Sequence, residues 1–296
     1  MHGSHGELHS ALLETDWNAE WMRLQESRRK ADDSSVWDTR AKHFRPKETA
    51  PYARDFIRLL ALEPRESVLD MGCGGGSIAL PLAQDAHPVI AADFSDMMIA
   101  ALKEGIEHYA LHDRVQPLKL AWDDDWKAAG IADKCVDVSF ASRSIATHDL
   151  KAALVKLDRT ARRRCCITLV STAGPHQDMH IMNAIGASVT STRDFIYAFN
   201  ILTQMGALPR VDYIDSPRRD TFNSLEDGVT DFARMLEGGN EDKLARLRAY
   251  IAEHMVENPD VGKPGSKGVP QGRYMLDHIR IIHWAFISWT PCLELS

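Results

Sequence analysis

No apolar run in this chain approaches the roughly 20 residues needed to span a bilayer. The first ten residues, MHGSHGELHS, lack the basic and apolar segments of a secretory signal. Cysteine is scarce: Cys73, Cys135, Cys165, Cys166 and Cys292 make an odd set of five without a CxxC pair. Neither a disulfide framework nor a cysteine-based metal site is indicated, and the expected setting is reducing cytoplasm with no membrane partner. Basic charge is also in deficit. With 35 Lys and Arg against 42 Asp and Glu, the net charge of -7 exerts no global pull on nucleic acid. There is no internal repeat and no low-complexity tract. What remains, 296 residues of which 44% are hydrophobic, suffices for one large domain, alone or with a cap.

Residues 1–50 are polar, with DWNAEWMRLQESRRK placing Trp17, Trp21 and Leu24 at helical spacing and VWDTRAKHF starting a second short helix. They read as a helical cap. Residues 51–296 form the main domain. After a helix from Pro51, the strand patterns ESVLDM, PVIAADF, VQPLKLAW, CVDVSFAS and CCITLV alternate with helical patterns. That alternation implies right-handed crossovers and a doubly wound, mostly parallel α/β sheet covered on both faces. Cys165 and Cys166 are expected on opposite sides of one strand, while Arg162–Arg164 are expected at a helix C-terminus, where cations complement the dipole. Beyond Val170 the regularity stops. Residues 171–206 read as a helical insertion, SLEDGVTDFARMLEG and EDKLARLRAYIAEHM as amphipathic helices, and RIIHWAFISW as a last apolar strand.

The stretch SVLDMGCGGGS runs from strand into glycines and then into a helix, the arrangement for close backbone approach to a ligand at a helix N-terminus. A dinucleotide loop would read GxGxxG, but the sixth position from Gly72 is Ser77 and the glycines fall at 72, 74 and 76. Asp70 stands two residues before the first glycine. Beside a pyrophosphate that carboxylate would be repelled, whereas near an ammonium or sulfonium it would be attracted.

VLDMGCGGG resembles the first motif of the class I S-adenosylmethionine-dependent methyltransferases, acid-x-Gly-x-Gly-x-Gly, through Asp70, Gly72, Gly74 and Gly76, with Cys73 between the glycines. The likeness covers roughly residues 50–170 well. It implies a seven-stranded sheet whose last strand is antiparallel, with S-adenosylmethionine as cofactor and S-adenosylhomocysteine as product. It further implies that Asp93, ending the second strand, takes both ribose hydroxyls, a task suited to one carboxylate. Phe94 lies next to it, Ser95 is placed to cap the following helix, and Met97 or Met98 borders the adenine or belongs to the core. At the third strand's end, Trp122 and Asp123 are the adenine candidates within LAWDDDW, against the alternative of a solvated acidic loop.

The fourth strand's tip, Ser142-Arg143-Ser144, faces cofactor methyl and substrate in that family. Arg143 binds an anionic substrate group or pairs with a nearby acid. His148 and Arg143 are the catalytic candidates. His148, His176 and His180 are each able to act as base near neutral pH, with surface or structural roles as the alternative. Trp37, Phe44, Arg143, His176 and Tyr197 are the candidates for an enclosed substrate pocket, unless the aromatics only fasten the cap. His176 and His180 have i,i+4 spacing but nothing completes a metal site, so no metal is expected. The resulting expectation is methyl transfer to an O, N, S or C nucleophile of a small molecule. The alternatives are an RNA or protein methyltransferase and an NAD(P)-dependent oxidoreductase.

Overall fold

A computed structural model describes residues 14–28, 50–172, 174, 177–187, 193–236, 241–265 and 270–292. Its strands are β1 (Val68–Met71), β2 (Val89–Asp93), β3 (Val115–Lys119), β4 (Val136–Ser142), β5 (Ala161–Val170), β6 (Arg210–Arg218), β7 (Thr221–Phe222), β8 (Met255–Glu257), β9 (Tyr274–Leu276) and β10 (Arg280–Trp289). Its helices are α1 (Trp17–Arg28), α2 (Pro51–Leu60), α3 (Ala79–Gln84), α4 (Asp96–His108), α5 (Leu150–Thr160), α6 (Met179–Ala184), α7 (Phe195–Gln204), α8 (Leu225–Ala233) and α9 (Glu241–His254).

Seven strands form one sheet in the order β3-β2-β1-β4-β5-β10-β6. The first five are parallel, and β10 runs antiparallel to both β5 and β6. RIIHWAFISW is therefore the antiparallel strand expected from the sequence. The all-buried VLDM of β1 sits centrally, as a strand covered on both faces requires. One face is packed by α2, α3 and α4 through Phe56, Leu80 and Leu102, and the other by α1, α5 and α7 through Trp21, Leu154 and Ile201. Cys165 and Cys166 are fully buried on opposite faces, in keeping with their adjacency in a strand.

The arginine run differs from the expectation. Arg162–Arg164 lie in β5, because α5 already ends at Thr160. Acids remote in sequence hold them there: Arg162 donates to Asp137 at 2.8 Å and Arg163 forms a forked pair with Glu66, while Arg164 reaches Ser288 at 2.9 Å. A further element has no counterpart in the sequence reading. Strands β7, β9 and β8 form a three-stranded sheet that packs with α6, α8 and α9 around Phe222, Phe232, Leu247 and Ile251. Of the helices in 171–206, α6 joins this second core and α7 joins the main one. Among the described residues, no helix is long and apolar enough to cross a membrane.

Candidate functional site

The C-terminal ends of β1, β2 and β4 converge on the glycine loop. Asp70, near the end of β1, is 1% exposed, and its Oδ2 has no hydrogen-bond partner among the described residues. Burial, reinforced by the charge of Asp93, raises the Asp70 carboxyl to about 8, with the Ala79 backbone N–H opposing. Desolvation favours the neutral form of this acid, and a cation placed beside its unsatisfied oxygen would draw it into the charged form. The same burial and the same two acids push the Cys73 thiol well above its ordinary range, so it is a packed thiol and no nucleophile.

The three motif glycines do different jobs. All have positive φ, at +76° for Gly72, +54° for Gly74 and +88° for Gly76. A Cβ on Gly72 would lie 2.5 Å from Ser144 Oγ, and one on Gly76 would lie 2.6 Å from Leu102 Cδ1. These two let the loop press against its own protein. Gly74 alone of the three faces space, with Met98 Sδ at 3.8 Å as the nearest neighbour of such a Cβ. Of the three motif glycines, open space thus lies only at Gly74.

Asp93 ends β2 and is 5% exposed. Its Oδ2 accepts the Gly74 N–H and its Oδ1 the Ser95 N–H, each at 2.9 Å. Burial raises its carboxyl, and those N–H groups counter the rise. A carboxylate offers about four acceptor sites, so capacity remains beyond these bonds. Ser95 caps α4 through Met98 N–H at 3.2 Å, as expected from its position. Phe94 and Met97 remain exposed at 40% each, next to an otherwise buried acid.

Beyond β3, the acids of LAWDDDW separate by role. Asp124 accepts from the Ala121 N–H, and Asp125 from the N–H groups of Lys127 and Ala128. Asp123 is exposed and bonds to no described residue. Trp122 is half-buried against Trp126, and its indole N–H reaches the Ser144 carbonyl at 2.9 Å. Ser144 Oγ in turn donates to the Met71 carbonyl at 2.6 Å, tying the ends of β1, β3 and β4 together.

At the tip of β4, Ser142 Oγ lies 2.8 Å from the Tyr52 hydroxyl, which also meets Thr168 Oγ1 at 2.9 Å. The Arg143 guanidinium stacks over the Tyr52 ring at 4.0 Å. Tyr52 and Trp284 were not anticipated as site residues. A hydrophobic pattern assigns Tyr52 and Trp284 to the core, and nothing in the sequence brings residues 52 and 284 to residue 143.

His148 stands apart from this convergence, with Nε2 3.6 Å from Glu26 of α1. Its neighbours bind the same helix: Trp21 donates its indole N–H to the Thr147 carbonyl at 2.8 Å, and Asn18 bonds Asp149 at 3.0 Å. Tyr197 of α7 packs edge-on to Trp17 and Trp21, and Arg28 makes a two-pronged pair with Asp194 at 3.0 Å. His180 stacks on His278, whose Nε2 contacts Asp178. Trp37, Phe44 and His176 lie outside the described residues. No group of three or more ligating side chains able to hold a metal occurs among the described residues.

The family model described as "Methyltransferase domain" matches residues 68–164, the stretch that carries Asp70, the glycines, Asp93 and the β4 tip. The chain belongs to the class I S-adenosylmethionine-dependent methyltransferases. Its cofactor is S-adenosylmethionine. An uncharacterized protein of Haemophilus influenzae is 30% identical over 240 residues, covering 80% of this methyltransferase and 81% of that protein. A 23S rRNA (uracil(1939)-C(5))-methyltransferase of Polaromonas naphthalenivorans is 36% identical over 61 residues, only 21% of this chain and 12% of that one. Among solved structures, the YcgJ protein from Bacillus subtilis shares the fold with a TM-score of 0.50 at 11% identity, over 82% of this chain and 99% of that one.

Proposed function

We propose that this methyltransferase acts on a small molecule, in a site closed by α1 over the loop that follows β4. The observation that carries the proposal is the docking of α1. Its Trp21 is fully buried and bonded to the loop after β4, and Trp17 and Trp21 hold Tyr197 of α7. A helix fastened across that loop favours an enclosed acceptor over a long polymer, and the net charge of -7 points the same way.

Within the site, Asp70 takes the cationic end of the cofactor, Gly74 gives it room, and Asp93 accepts its ribose hydroxyls. The unsatisfied Asp70 oxygen and the spare acceptor capacity of Asp93 support these roles. Trp122 and Asp123 after β3, with Phe94 and Met97 after β2, supply the adenine surroundings, Ser142 borders the cofactor, and Arg143 borders the acceptor. When bound, S-adenosylmethionine supplies a methyl group activated by its sulfonium. The protein's part is orientation of the acceptor and exclusion of water.

An RNA acceptor is the second reading, favoured by the short likeness to rRNA methyltransferases. Both are tested by incubating the protein with methyl-labelled S-adenosylmethionine and either a fractionated small-metabolite pool or total RNA. Label in small molecules is expected. Label recovered in ribonuclease-sensitive material would overturn the proposal.

A further inference from the structure

The tip of β4 carries a cation without an acid. Arg28, Arg162, Arg163 and Arg280 each engage a carboxylate. Arg143 is exposed and has no carboxylate within ion-pair distance among the described residues; its guanidinium lies over the Tyr52 ring at 4.0 Å and 5.9 Å from the Trp284 ring. Those rings meet edge-on at 6.1 Å and are both buried, so the platform is rigid. Stacking leaves the guanidinium's N–H edge available in its own plane, the geometry that receives two oxygens at once.

Backbone geometry holds this cation in place. Arg143 has φ +59°, a left-handed conformation that costs a side-chain-bearing residue about 1 kcal/mol. At Ala61 the same conformation merely closes a helix. At Arg143 it follows a strand and turns Ser144 onto the Met71 carbonyl, while the Arg143 N–H is fixed by Thr168 Oγ1 at 2.9 Å. Strain held by surrounding bonds at the edge of a site is a mark of a positioned group. A second, independent feature adjoins it. The indole N–H of Trp284 is buried and has no acceptor among the described residues. An unpaired guanidinium and an unsatisfied N–H therefore sit on one aromatic cluster, and both lack a negatively polarised oxygen.

We propose that the methyl acceptor carries an anionic group, carboxylate or phosphate, received by Arg143 on the Tyr52–Trp284 platform. This inference rests on the reading of the protein as a small-molecule methyltransferase. Arg143 selects acceptors by charge, and its neighbour Ser144, packed on Gly72, fixes the distance from that charge to the cofactor loop.

The test separates the metabolite pool by charge into carboxylate-bearing, phosphate-bearing, neutral and cationic fractions, and offers each with methyl-labelled S-adenosylmethionine. Arg143→Gly removes the guanidinium while relieving the positive φ, so folding is preserved, and Arg143→Lys keeps charge without the fork. The wild type is expected to label a species in one of the two anionic fractions, the fraction identifying the anion. Arg143→Gly should lower that labelling about tenfold or more at limiting acceptor, Arg143→Lys should lower it less, and S-adenosylhomocysteine binding should be retained in both. Labelling of neutral or cationic species, or equal labelling by Arg143→Gly, overturns the inference and leaves the methyltransferase reading standing. Labelling of RNA alone instead removes the small-molecule reading beneath it.

Discussion

Asp70 couples the protein's stability to its ligand. In the unfolded chain it ionises near 3.8, whereas in the folded protein it keeps its proton up to about 8. Between those values the folded state holds the additional proton, so this group's contribution falls as pH rises across that window and is constant above it. Asp70→Asn removes the dependence. Melting curves are expected to shift the difference between variant and wild type in the variant's favour from pH 5 to about pH 8 and to leave it level from there to pH 9, while the variant binds S-adenosylhomocysteine more weakly. Parallel stability profiles would contradict the assignment. The identity of this acid was legible in the sequence from its place before the glycines. Its environment was not, because desolvation and the proximity of Asp93 arise only when β1 and β2 pair side by side. The same holds for Arg143: its exposure at a strand tip could be read, but its aromatic support comes from residues 52 and 284.

The loop from β1 to α3 shows how one motif divides its labour. Gly76→Ala would drive a methyl group against Leu102 and Leu80, at 2.6 and 2.9 Å, and should destabilise the fold by about 1–3 kcal/mol. Gly74→Ala meets nothing closer than 3.8 Å and should cost about 1 kcal/mol through its positive φ. Its larger effect is expected on S-adenosylhomocysteine affinity, a loss of about tenfold or more. Denaturant midpoints and calorimetric titration of both variants separate the two effects; a Gly74→Ala variant with undiminished affinity would place the ligand elsewhere. The inner strands β1, β2 and β4 were readable because burial on both faces gives continuous apolar runs, and RIIHWAFISW matches β10 from end to end. The turn of Arg162–Arg164 into β5 was not readable, since no glycine or proline stops the preceding helix and the acids that hold the run, Asp137 and Glu66, are distant in sequence. Strands β7, β8 and β9 have two or three residues each, too few for any periodicity to register.

For the molecule as a whole, the two cores differ in depth. The seven-stranded sheet is covered on both faces, while the second core rests on a sheet of three very short strands. Amides of β8 and β9 should therefore exchange with solvent well before those of β1 and β4, as local openings need expose less apolar surface. Native-state hydrogen exchange measures this, and uniform protection across both sheets would show a single cooperative unit. The charge balance and the parallel architecture belong to the same scale, and both are legible in the sequence, unlike the way α1 fastens across the β4 loop. The central claim is that the Asp70–Gly74–Asp93 cradle holds the methyl donor. Calorimetric titration of wild-type protein and Asp93→Asn with S-adenosylhomocysteine and with NAD tests it most directly. The expected result is S-adenosylhomocysteine binding that is sharply weakened in a folded Asp93→Asn variant, with no NAD binding to either protein; NAD binding, or an Asp93→Asn variant with wild-type affinity, would contradict it.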